Sequence, residues 1–254
     1  MQNSLEGKVA VITGGAQGVG LGIAQEFVAQ GARVVITGRR QPQLDEAVAA
    51  LGPASSAIVA DVANLTAMEA MYKEVMARHG RLDVVVANAG VGDQSSLGSI
   101  TEQQFDHIYD IDVKGILFTV QPAMPLLPKD GTIVIIGSTG SIQARPGMSL
   151  YCGAKAAIRQ IVRGWIQEIK GSGVRINVLS PGAIDTPSLR TALERASGAD
   201  KVEALVKSMG EGNPLGRLGD AREIGKAAVF LASEASSFIT GVELFADGGM
   251  AQTG

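Results

Sequence analysis

Short apolar runs alternate with longer amphipathic stretches along most of the chain. The apolar runs are hydrophobic at consecutive positions rather than at every second one, which is typical of strands buried on both faces of a parallel sheet. Seven of these runs predict β-strands, at Val9–Thr13, Arg33–Thr37, Ala57–Ala60, Leu82–Ala87, Thr132–Ile136, Arg175–Leu179 and Val242–Phe245.

The stretches between the apolar runs have the length and periodicity of helices. Within Val19–Gln30, for example, Leu21, Ala24, Phe27 and Val28 recur at spacings of three and four residues and would share one helix face. This alternation predicts an α/β protein with a doubly wound, Rossmann-type parallel sheet of about seven strands and helices on both faces. Because no linker, repeat or low-complexity tract divides the sequence, we expect residues 1–254 to form a single domain.

Two segments interrupt the alternation. Segment 121–131 contains three prolines, so a helix must kink or end there. Segment 187–214 is bounded by prolines and rich in glycine, serine and charge, and insertions of this kind often form mobile lids. We expect a substrate lid at 187–214, whose inner face would be made apolar by Leu189, Leu193, Val202, Leu205, Val206 and Met209.

A glycine-rich turn follows the first predicted strand and opens the first helix, in Thr13-Gly14-Gly15-Ala16-Gln17-Gly18-Val19-Gly20. Glycines let a backbone turn sharply and approach a pyrophosphate, and the helix N-terminus offers free N–H groups and a positive dipole end. A glycine triplet alone is weak support, but a strand before it and a helix after it are the expected context. We predict that a dinucleotide binds here, at Gly14, Gln17, Gly18, Val19 and Gly20.

The end of the second strand bears on the choice of dinucleotide. Sites for NAD usually carry an acid here that accepts a hydrogen bond from the ribose 2′-hydroxyl, and this chain has Gly38 followed by Arg39 and Arg40. A guanidinium attracts a 2′-phosphate and can bind it through two hydrogen bonds. The sequence therefore favours NADP(H), with NAD(H) possible if the two arginines are only a solvated basic turn.

A tyrosine, a lysine and a serine form a candidate catalytic group. Tyr151 and Lys155 are four residues apart and would lie on one face of a helix that runs to Lys170. An adjacent ammonium stabilises a phenolate, so the phenol can exchange a proton near neutral pH. The pattern is common on helix surfaces, but Ser138 also stands just past the fifth strand, where α/β proteins bind their ligands.

Together these motifs resemble those of the short-chain dehydrogenase/reductase family over nearly the whole chain and in family order. Ser138, Tyr151 and Lys155 match the catalytic serine, tyrosine and lysine. The resemblance implies that Lys155 also binds the nicotinamide ribose with Tyr151. It further implies that Asp61 and Val62 contact adenine, that Asn88, Ala89 and Gly90 close the fourth strand, and that a last cofactor segment holds the nicotinamide carboxamide through Pro181, Gly182, Ile184 and Thr186.

Two departures from the family pattern stand out. Ala87 replaces the first asparagine of the fourth-strand motif, which removes one supporting hydrogen bond. Asp112 stands where the family usually has an asparagine that holds a water beside the lysine. If this residue acts through its side chain, the carboxylate would pair with Lys155 or alter the proton relay, whereas a role of its backbone carbonyl would make the change mild. We include Asp112 among the candidate catalytic residues.

The activity implied by the resemblance is hydride transfer from NADPH to a ketone or aldehyde, with Tyr151 as proton donor and reversal to alcohol oxidation. An NAD-dependent secondary-alcohol dehydrogenase would use the same residues, and a non-catalytic dinucleotide-binding protein is a third reading. Related enoyl reductases usually space the tyrosine and lysine further apart. Candidate substrate contacts are Gln143 and Met148, and weaker ones are Gly92–Ser96, Ile184, Leu189 and Leu193.

Composition and charge narrow the range of partners. The 22 basic and 25 acidic residues give a net charge of −3 with no basic block, which argues against nucleic acid and anionic membranes. The single cysteine and the polar start favour a reducing, cytoplasmic location. His79 and His107 show no metal-ligand spacing. From the family resemblance we expect a homodimer or homotetramer, formed through helices near 101–120 and 150–170 and the C-terminal strand.

Overall fold

The computed structural model describes residues 3–253. One parallel sheet of seven strands runs through it in the order β3-β2-β1-β4-β5-β6-β7. This confirms the predicted doubly wound fold and all seven strands, with ends displaced by no more than two residues. The strands are β1 Val9–Thr13, β2 Arg33–Gly38, β3 Ser55–Val59, β4 Val84–Ala87, β5 Thr132–Ile136, β6 Arg175–Pro181 and β7 Glu243–Ala246.

Helices cover both faces of this sheet, because residues at alternating strand positions supply two separate cores. Val9 and Val11 of β1 point into one core, whereas Ala10 and Ile12 point into the other. The helices are α1 Gly18–Ala29, α2 Gln41–Leu51, α3 Leu65–His79, α4 Glu102–Tyr109, α5 Gly115–Val120, α6 Ser149–Glu168, α7 Pro187–Ser197, α8 Val202–Glu211 and α9 Ala221–Ala232.

Helices α1 and α9 lie against each other at glycines. A side chain at Gly22 would meet the carbonyl carbon and oxygen of Ala221 at 2.5 Å, and one at Gly225 would meet the carbonyl oxygen of Gly22 at 2.6 Å. Both glycines are buried. The close approach of the two backbones therefore depends on the absence of a Cβ atom at these positions.

The strand order creates a crevice at the carboxyl ends of β1 and β4. The chain passes from β1 to β2 and β3 on one side and then crosses to β4 through β7 on the other. Ligands of doubly wound proteins bind at such a reversal of strand order. None of the helices formed by residues 3–253 combines the length and the apolar character that crossing a bilayer requires.

The two segments that interrupt the alternation lie at opposite edges of the sheet, since 121–131 leads into the amino end of β5 and residues of 187–214 line the crevice. Helix α5 ends at Val120, immediately before the proline-containing segment, which forms one short 3-10 turn at Met124–Leu126. Segment 187–214 folds into α7 and α8, joined by a 3-10 turn at Ala199–Lys201. Thr186 caps α7 by accepting a hydrogen bond from the Leu189 amide at 3.3 Å.

Candidate active site

The glycine-rich turn after β1 is built so that its backbone is open to a ligand. Gly14 and Gly18 have φ angles of +64° and +54°, which glycine adopts without strain. A side chain at Gly20 would meet the Asn88 amide nitrogen at 2.5 Å. Helix α1 begins at Gly18, so its free N–H groups face the same opening. This glycine-lined cradle at a helix N-terminus fits the pyrophosphate of a dinucleotide.

Asn88 and Thr13 fasten this turn to the neighbouring strand. The Asn88 Nδ2 group donates to the carbonyl oxygens of Thr13 at 2.9 Å and of Gly14 at 3.1 Å. The Thr13 hydroxyl oxygen in turn accepts from the amides of Asn88 and Ala89, at 3.0 and 3.2 Å. The carboxyl ends of β1 and β4 are thus joined by side chains at the reversal of strand order. Ala87 precedes this motif and is buried at the end of β4.

A single cleft of about 770 Å³ runs along this edge of the sheet. At one end lie Arg39 and Arg40, both exposed, with Asp61 and Val62 beside them. Asp61 Oδ1 accepts from the Ala63 amide at 3.0 Å, which shapes the turn after β3. The predicted cofactor residues that line the cleft are Gly14, Gln17, Gly18, Val19, Gly20, Arg39, Arg40, Asp61, Val62, Asn88, Ala89, Gly90, Tyr151, Lys155, Pro181, Gly182, Ile184 and Thr186.

Ser138 and Tyr151 meet at Gly140, at the other end of the cleft. A side chain at Gly140 would lie 3.3 Å from Ser138 Oγ and 3.4 Å from Tyr151 Cε1. Ser138 Oγ accepts a hydrogen bond from the Gly140 amide at 3.0 Å, so its own hydroxyl hydrogen is available for another acceptor. Tyr151 lies in the first turn of α6. Both side chains also line the cleft, so the two hydroxyl-bearing residues are close neighbours on its wall.

Glu243 of β7 anchors the loop after Ser138 through its carboxylate. Its Oε1 atom accepts from Ser141 Oγ at 2.5 Å and from Ser180 Oγ at 2.7 Å, and its Oε2 atom lies 2.7 Å from Arg159 Nε. Ser141 belongs to the 3-10 turn after Ser138, and Arg159 lies one turn beyond Lys155 in α6. The carboxylate thus ties the serine loop and the tyrosine helix to β6 and β7.

Lys155 and Asp112 form a buried pair behind Tyr151. Lys155 Nζ is 3.7 Å from Asp112 Oδ1, donates to the Ile136 carbonyl at 3.3 Å, and lies 5.6 Å from the centre of the Tyr151 ring. Asp112 Oδ1 also accepts from the Val91 amide at 3.0 Å. Burial raises the pKa of the Asp112 carboxyl, and the Lys155 ammonium and the Val91 N–H group partly oppose that rise in pKa. The Asp112 carboxylate pairs with Lys155 but lies outside the cleft lining.

Asp112 reaches this position through an irregular turn. Residues 110–114 form a π-type turn between α4 and α5, and such turns often occur at functional sites. Asp112 Oδ2 is buried and has no hydrogen-bond partner among residues 3–253. The asparagine usual at this position would place an amide there, so this orphaned oxygen marks where the chain departs from the family pattern.

The two candidate substrate residues have different positions. Met148 lines the cleft, and a side chain at Gly92 would lie 3.8 Å from the Tyr151 ring and 4.0 Å from Met148 Cε. Gln143 is outside the cleft lining, because its Nε2 group donates to the Met250 carbonyl at 3.0 Å. Leu189 and Leu193 of α7 line the cleft, as do Gly92 and Gln94 from the segment 92–96.

Two residues that matter to the geometry were not singled out from the sequence. Gly140 lies where Ser138 and Tyr151 approach each other, and Arg145 brings a cation to the same end of the cleft. Met209 of α8, which the sequence predicts for the inner face of the lid, lines the cleft. Gly140 and Arg145 lie between Ser138 and Tyr151 in the sequence. This position is the only sequence feature that could have indicated them as site residues. Residues 3–253 contain no group of three His, Cys, Asp or Glu side chains able to hold a metal ion.

Comparisons with known proteins agree with this geometry. A family model described as Enoyl-(Acyl carrier protein) reductase matches residues 14–251. The oxidoreductase asL5 of Sarocladium schorii is 44% identical over 250 residues, which covers 98% of this chain and 97% of that protein.

Two solved structures also superpose closely. Thermoplasma acidophilum aldohexose dehydrogenase has a TM-score of 0.92 at 28% identity, covering 100% of this chain and 98% of its own. The 3-ketoacyl-(acyl-carrier-protein) reductase of Brucella melitensis, complexed with NADH, has a TM-score of 0.88 at 29% identity. The match covers 97% of this chain and 99% of that chain. The length matched by the family model, the fold and these relatives together show that the chain belongs to the short-chain dehydrogenase/reductase family. This is an oxidoreductase family that binds nicotinamide dinucleotides.

Proposed function

We propose that this protein reduces a ketone or aldehyde with NADPH, and that the same residues oxidise the alcohol in the reverse direction. The observation that carries the proposal is the meeting of Ser138 Oγ and the Tyr151 ring at Gly140, at the end of a cleft that is lined by the glycine turn. When bound, the nicotinamide would supply a hydride to the carbonyl carbon. The substrate oxygen then needs one proton, and the chain provides it.

Tyr151 is the proton donor in this proposal. Negative charge grows on the substrate oxygen in the transition state, where hydroxyl groups from Ser138 and Tyr151 donate hydrogen bonds to it. Ser138 is oriented for this role, because the Gly140 amide already occupies one lone pair of its Oγ atom. Proton transfer from Tyr151 completes the alcohol and leaves a phenolate.

Lys155 supports that transfer by stabilising the phenolate. Its ammonium nitrogen lies 5.6 Å from the centre of the Tyr151 ring, close enough for its charge to stabilise the phenolate. The side chain is buried, which reduces screening by water and strengthens the interaction. Lys155 would also hold the nicotinamide ribose, and Asp112 would fix the position of the lysine from the opposite side.

Support for NADPH comes from the end of β2. Arg39 and Arg40 are exposed, line the cleft, and pair with no carboxylate of residues 3–253. No acid stands where a 2′-hydroxyl would need one, because Gly38 occupies that position. An NAD-dependent secondary-alcohol dehydrogenase is the second candidate, favoured by the NADH bound to the Brucella melitensis relative. The four-residue spacing of Tyr151 and Lys155 favours carbonyl over enoyl reduction.

Two further elements complete the proposal. Helices α7 and α8 would form a lid at 187–214, since Leu189, Leu193 and Met209 turn an apolar surface toward the cleft. A homodimer or homotetramer would cover apolar side chains that are exposed on α4 and next to β7, namely Phe105, Phe238 and Val242. Light scattering of the purified protein would measure that assembly.

The proposed function is tested by oxidation of NADPH and NADH with a panel of ketones and aldehydes. Tyr151→Phe should lower kcat by roughly 10²–10⁴-fold and change the Kd for NADPH far less, because it removes the proton donor and keeps Lys155 and the rest of the cofactor contacts. Tyr109→Phe makes the same chemical change outside the cleft and serves as the matched control. Unchanged turnover by Tyr151→Phe would refute the mechanism, and turnover with NADH alone would support the dehydrogenase.

A further inference from the structure

One cation at the catalytic end of the cleft has no part in the chemistry described above. Arg145 lies on the loop between β5 and α6, between Ser138 and Tyr151 in the sequence, and it lines the cleft with an exposed side chain. No carboxylate of residues 3–253 pairs with it. The described residues that line the cleft include one acid, Asp61, which is at the far end beside Arg39.

Neutral side-chain atoms hold this guanidinium toward the catalytic serine. Arg145 Nη2 donates to Thr139 Oγ1 at 3.3 Å and lies 3.4 Å from Met250 Sδ. Thr139 is the residue next to Ser138 and is 2% exposed, so it gives the guanidinium a fixed anchor. These contacts use one nitrogen and neutralise no charge, and the other N–H donors are open to an anion.

The C-terminal segment supports the same arrangement. Gln143 Nε2 donates to the Met250 carbonyl at 3.0 Å, which brings Met250 onto the loop that carries Arg145. Asp247 folds this segment by accepting from the Gly249 amide at 2.9 Å and the Ala251 amide at 2.6 Å. Asn213 in turn donates to the Asp247 carbonyl at 2.7 Å. Arg145 is therefore placed by long-range contacts.

We propose that Arg145 is a specificity-determining residue that binds an anionic oxygen group of the substrate, a carboxylate or a phosphate, next to the carbonyl to be reduced. The inference rests on the proposed carbonyl reduction. A planar guanidinium binds either group through two parallel hydrogen bonds. The cleft wall also includes the apolar side chains of Met148, Leu189, Leu193 and Met209, so the fitting substrate is a ketone with an apolar body and one anionic end.

The test compares matched substrates that differ only in charge. The 4-oxo, 5-oxo and 6-oxo carboxylic acids, and a 4-oxoalkyl phosphonate, are each assayed beside their neutral ethyl esters. We expect the wild-type protein to have a higher kcat/KM for at least one acid than for its ester. Arg145→Gln should lower that acid-to-ester ratio by about tenfold or more, mainly through KM, because each 1.4 kcal/mol of binding is a factor of ten.

Two further variants make the result specific. Arg145→Lys keeps the charge but loses the planar fork, and we expect an intermediate ratio. Lys73→Gln, on the exposed face of α3, removes the same charge far from the cleft and should leave the ratio unchanged. The phosphonate distinguishes a carboxylate site from a phosphate site. Whichever of the two anions has the higher kcat/KM relative to its own ester is the group that the site fits. Equal ratios in wild type and Arg145→Gln would overturn the proposal while the carbonyl reductase function stands.

Equilibrium binding covers the case in which no ketone is reduced. Calorimetry of 6-oxoheptanoate with the full chain and NADP⁺, or NAD⁺, needs no turnover. Weaker binding to Arg145→Gln than to the wild type, with no such change for the ethyl ester, would sustain the anion site even if the proposed reaction failed. Identical binding of acid and ester to both proteins would refute the anion site.

Discussion

The carboxylate of Asp112 and the ammonium of Lys155 lie 3.7 Å apart in the interior, behind the tyrosine that would donate the proton. Only one oxygen of the carboxylate has a hydrogen-bond partner among residues 3–253, and that partner is the Val91 amide. The cleft thus has a charged pair beside it where an amide is usual in the family. Both the stability and the proposed proton transfer are therefore expected to respond to the removal of this carboxyl group.

Asp112→Asn should change how stability varies with pH. Burial raises the pKa of Asp112 above its ordinary 3.8, so the folded state holds this proton more tightly than the unfolded state. Between the two pKa values the folded state binds more protons, and this group's contribution to the free energy of unfolding falls as pH rises. The stability of Asp112→Asn relative to wild type should therefore increase as pH rises from below the ordinary pKa of 3.8 toward neutral, measured by urea unfolding.

Asp110→Asn is the control for this comparison, because Asp110 lies in the same π-type turn, but its side chain is half exposed and pairs with Lys114. Its stability relative to wild type should not rise across that range of pH. If the stability of Asp112→Asn fell relative to wild type as pH increased, the pKa of Asp112 in the folded protein would have to be low rather than raised.

The same substitution should speed alcohol oxidation. An ionised Asp112 lies 3.7 Å from Lys155 and offsets its positive charge, which weakens the stabilisation that this ammonium gives to a phenolate at Tyr151. In Asp112→Asn, kcat for alcohol oxidation at neutral pH should therefore rise above that of the wild type in steady-state assays. Asp110→Asn should keep the wild-type kcat, and a lower kcat in Asp112→Asn would contradict the coupling.

The sequence predicts those parts of the site that depend on local geometry. Tyr151 and Lys155 share one helix, so their spacing of four residues already places them on one face. Ser138 could be added because the end of a parallel strand faces the crevice, and the glycine turn because strand and helix flank it. The fold was equally accessible, since the runs that form β1 and β5 are apolar on both faces and all their residues are buried.

Residues placed by contacts distant in the sequence could not be predicted in the same way. Gln143 is drawn from the cleft by the Met250 carbonyl, 107 residues later, and Arg145 is positioned partly by the thioether of the same residue. Asp112 could be recognised as a departure from the family, but its pairing depends on a π-type turn that no spacing reveals. The apolar pattern also carries no signal for Gly22, which matters only because α9 passes close to it.

Arg39→Gln should weaken the binding of NADPH and leave that of NADH unchanged. A hydrogen bond to a charged group is worth about 1.5–3 kcal/mol, which corresponds to an increase in Kd of roughly 10–150-fold. Fluorescence titration of both cofactors measures the two constants, and Lys73→Gln controls for the loss of one positive charge. If the Kd values of both cofactors rose equally, Arg39 would contact the adenosine that they share. If neither Kd rose, Arg39 would be a solvated turn residue.

Asn88→Ala should disorder the glycine turn and weaken both dinucleotides together. The Asn88 amide donates to two carbonyl oxygens of the turn, and its loss leaves these acceptors without those partners. Each such loss costs about 1–3 kcal/mol. We expect a lower urea midpoint and higher Kd values for NADPH and NADH by a similar factor. A selective loss of one cofactor would mean that Asn88 contacts the ligand directly rather than shaping the turn.

Gly22→Ala should destabilise the protein although alanine is the better helix former. In an exposed helix the change would stabilise by about 1 kcal/mol. Here the new methyl group would lie 2.5 Å from the carbonyl carbon and oxygen of Ala221, and backbone atoms of a buried helix cannot move aside as a flexible side chain would. Overpacking of this kind typically costs about 1–3 kcal/mol, so we expect a net loss of stability in urea unfolding with the cofactor absent.

Gly212→Ala, at the end of α8, is the matched control. A Cβ there would be 3.6 Å from the nearest atom, the Ser208 carbonyl oxygen, and the φ of −76° suits alanine, so stability should be unchanged or slightly higher. If both variants were equally stable, α1 and α9 would have to separate without loss, and the glycine contact would not be what holds them at this distance.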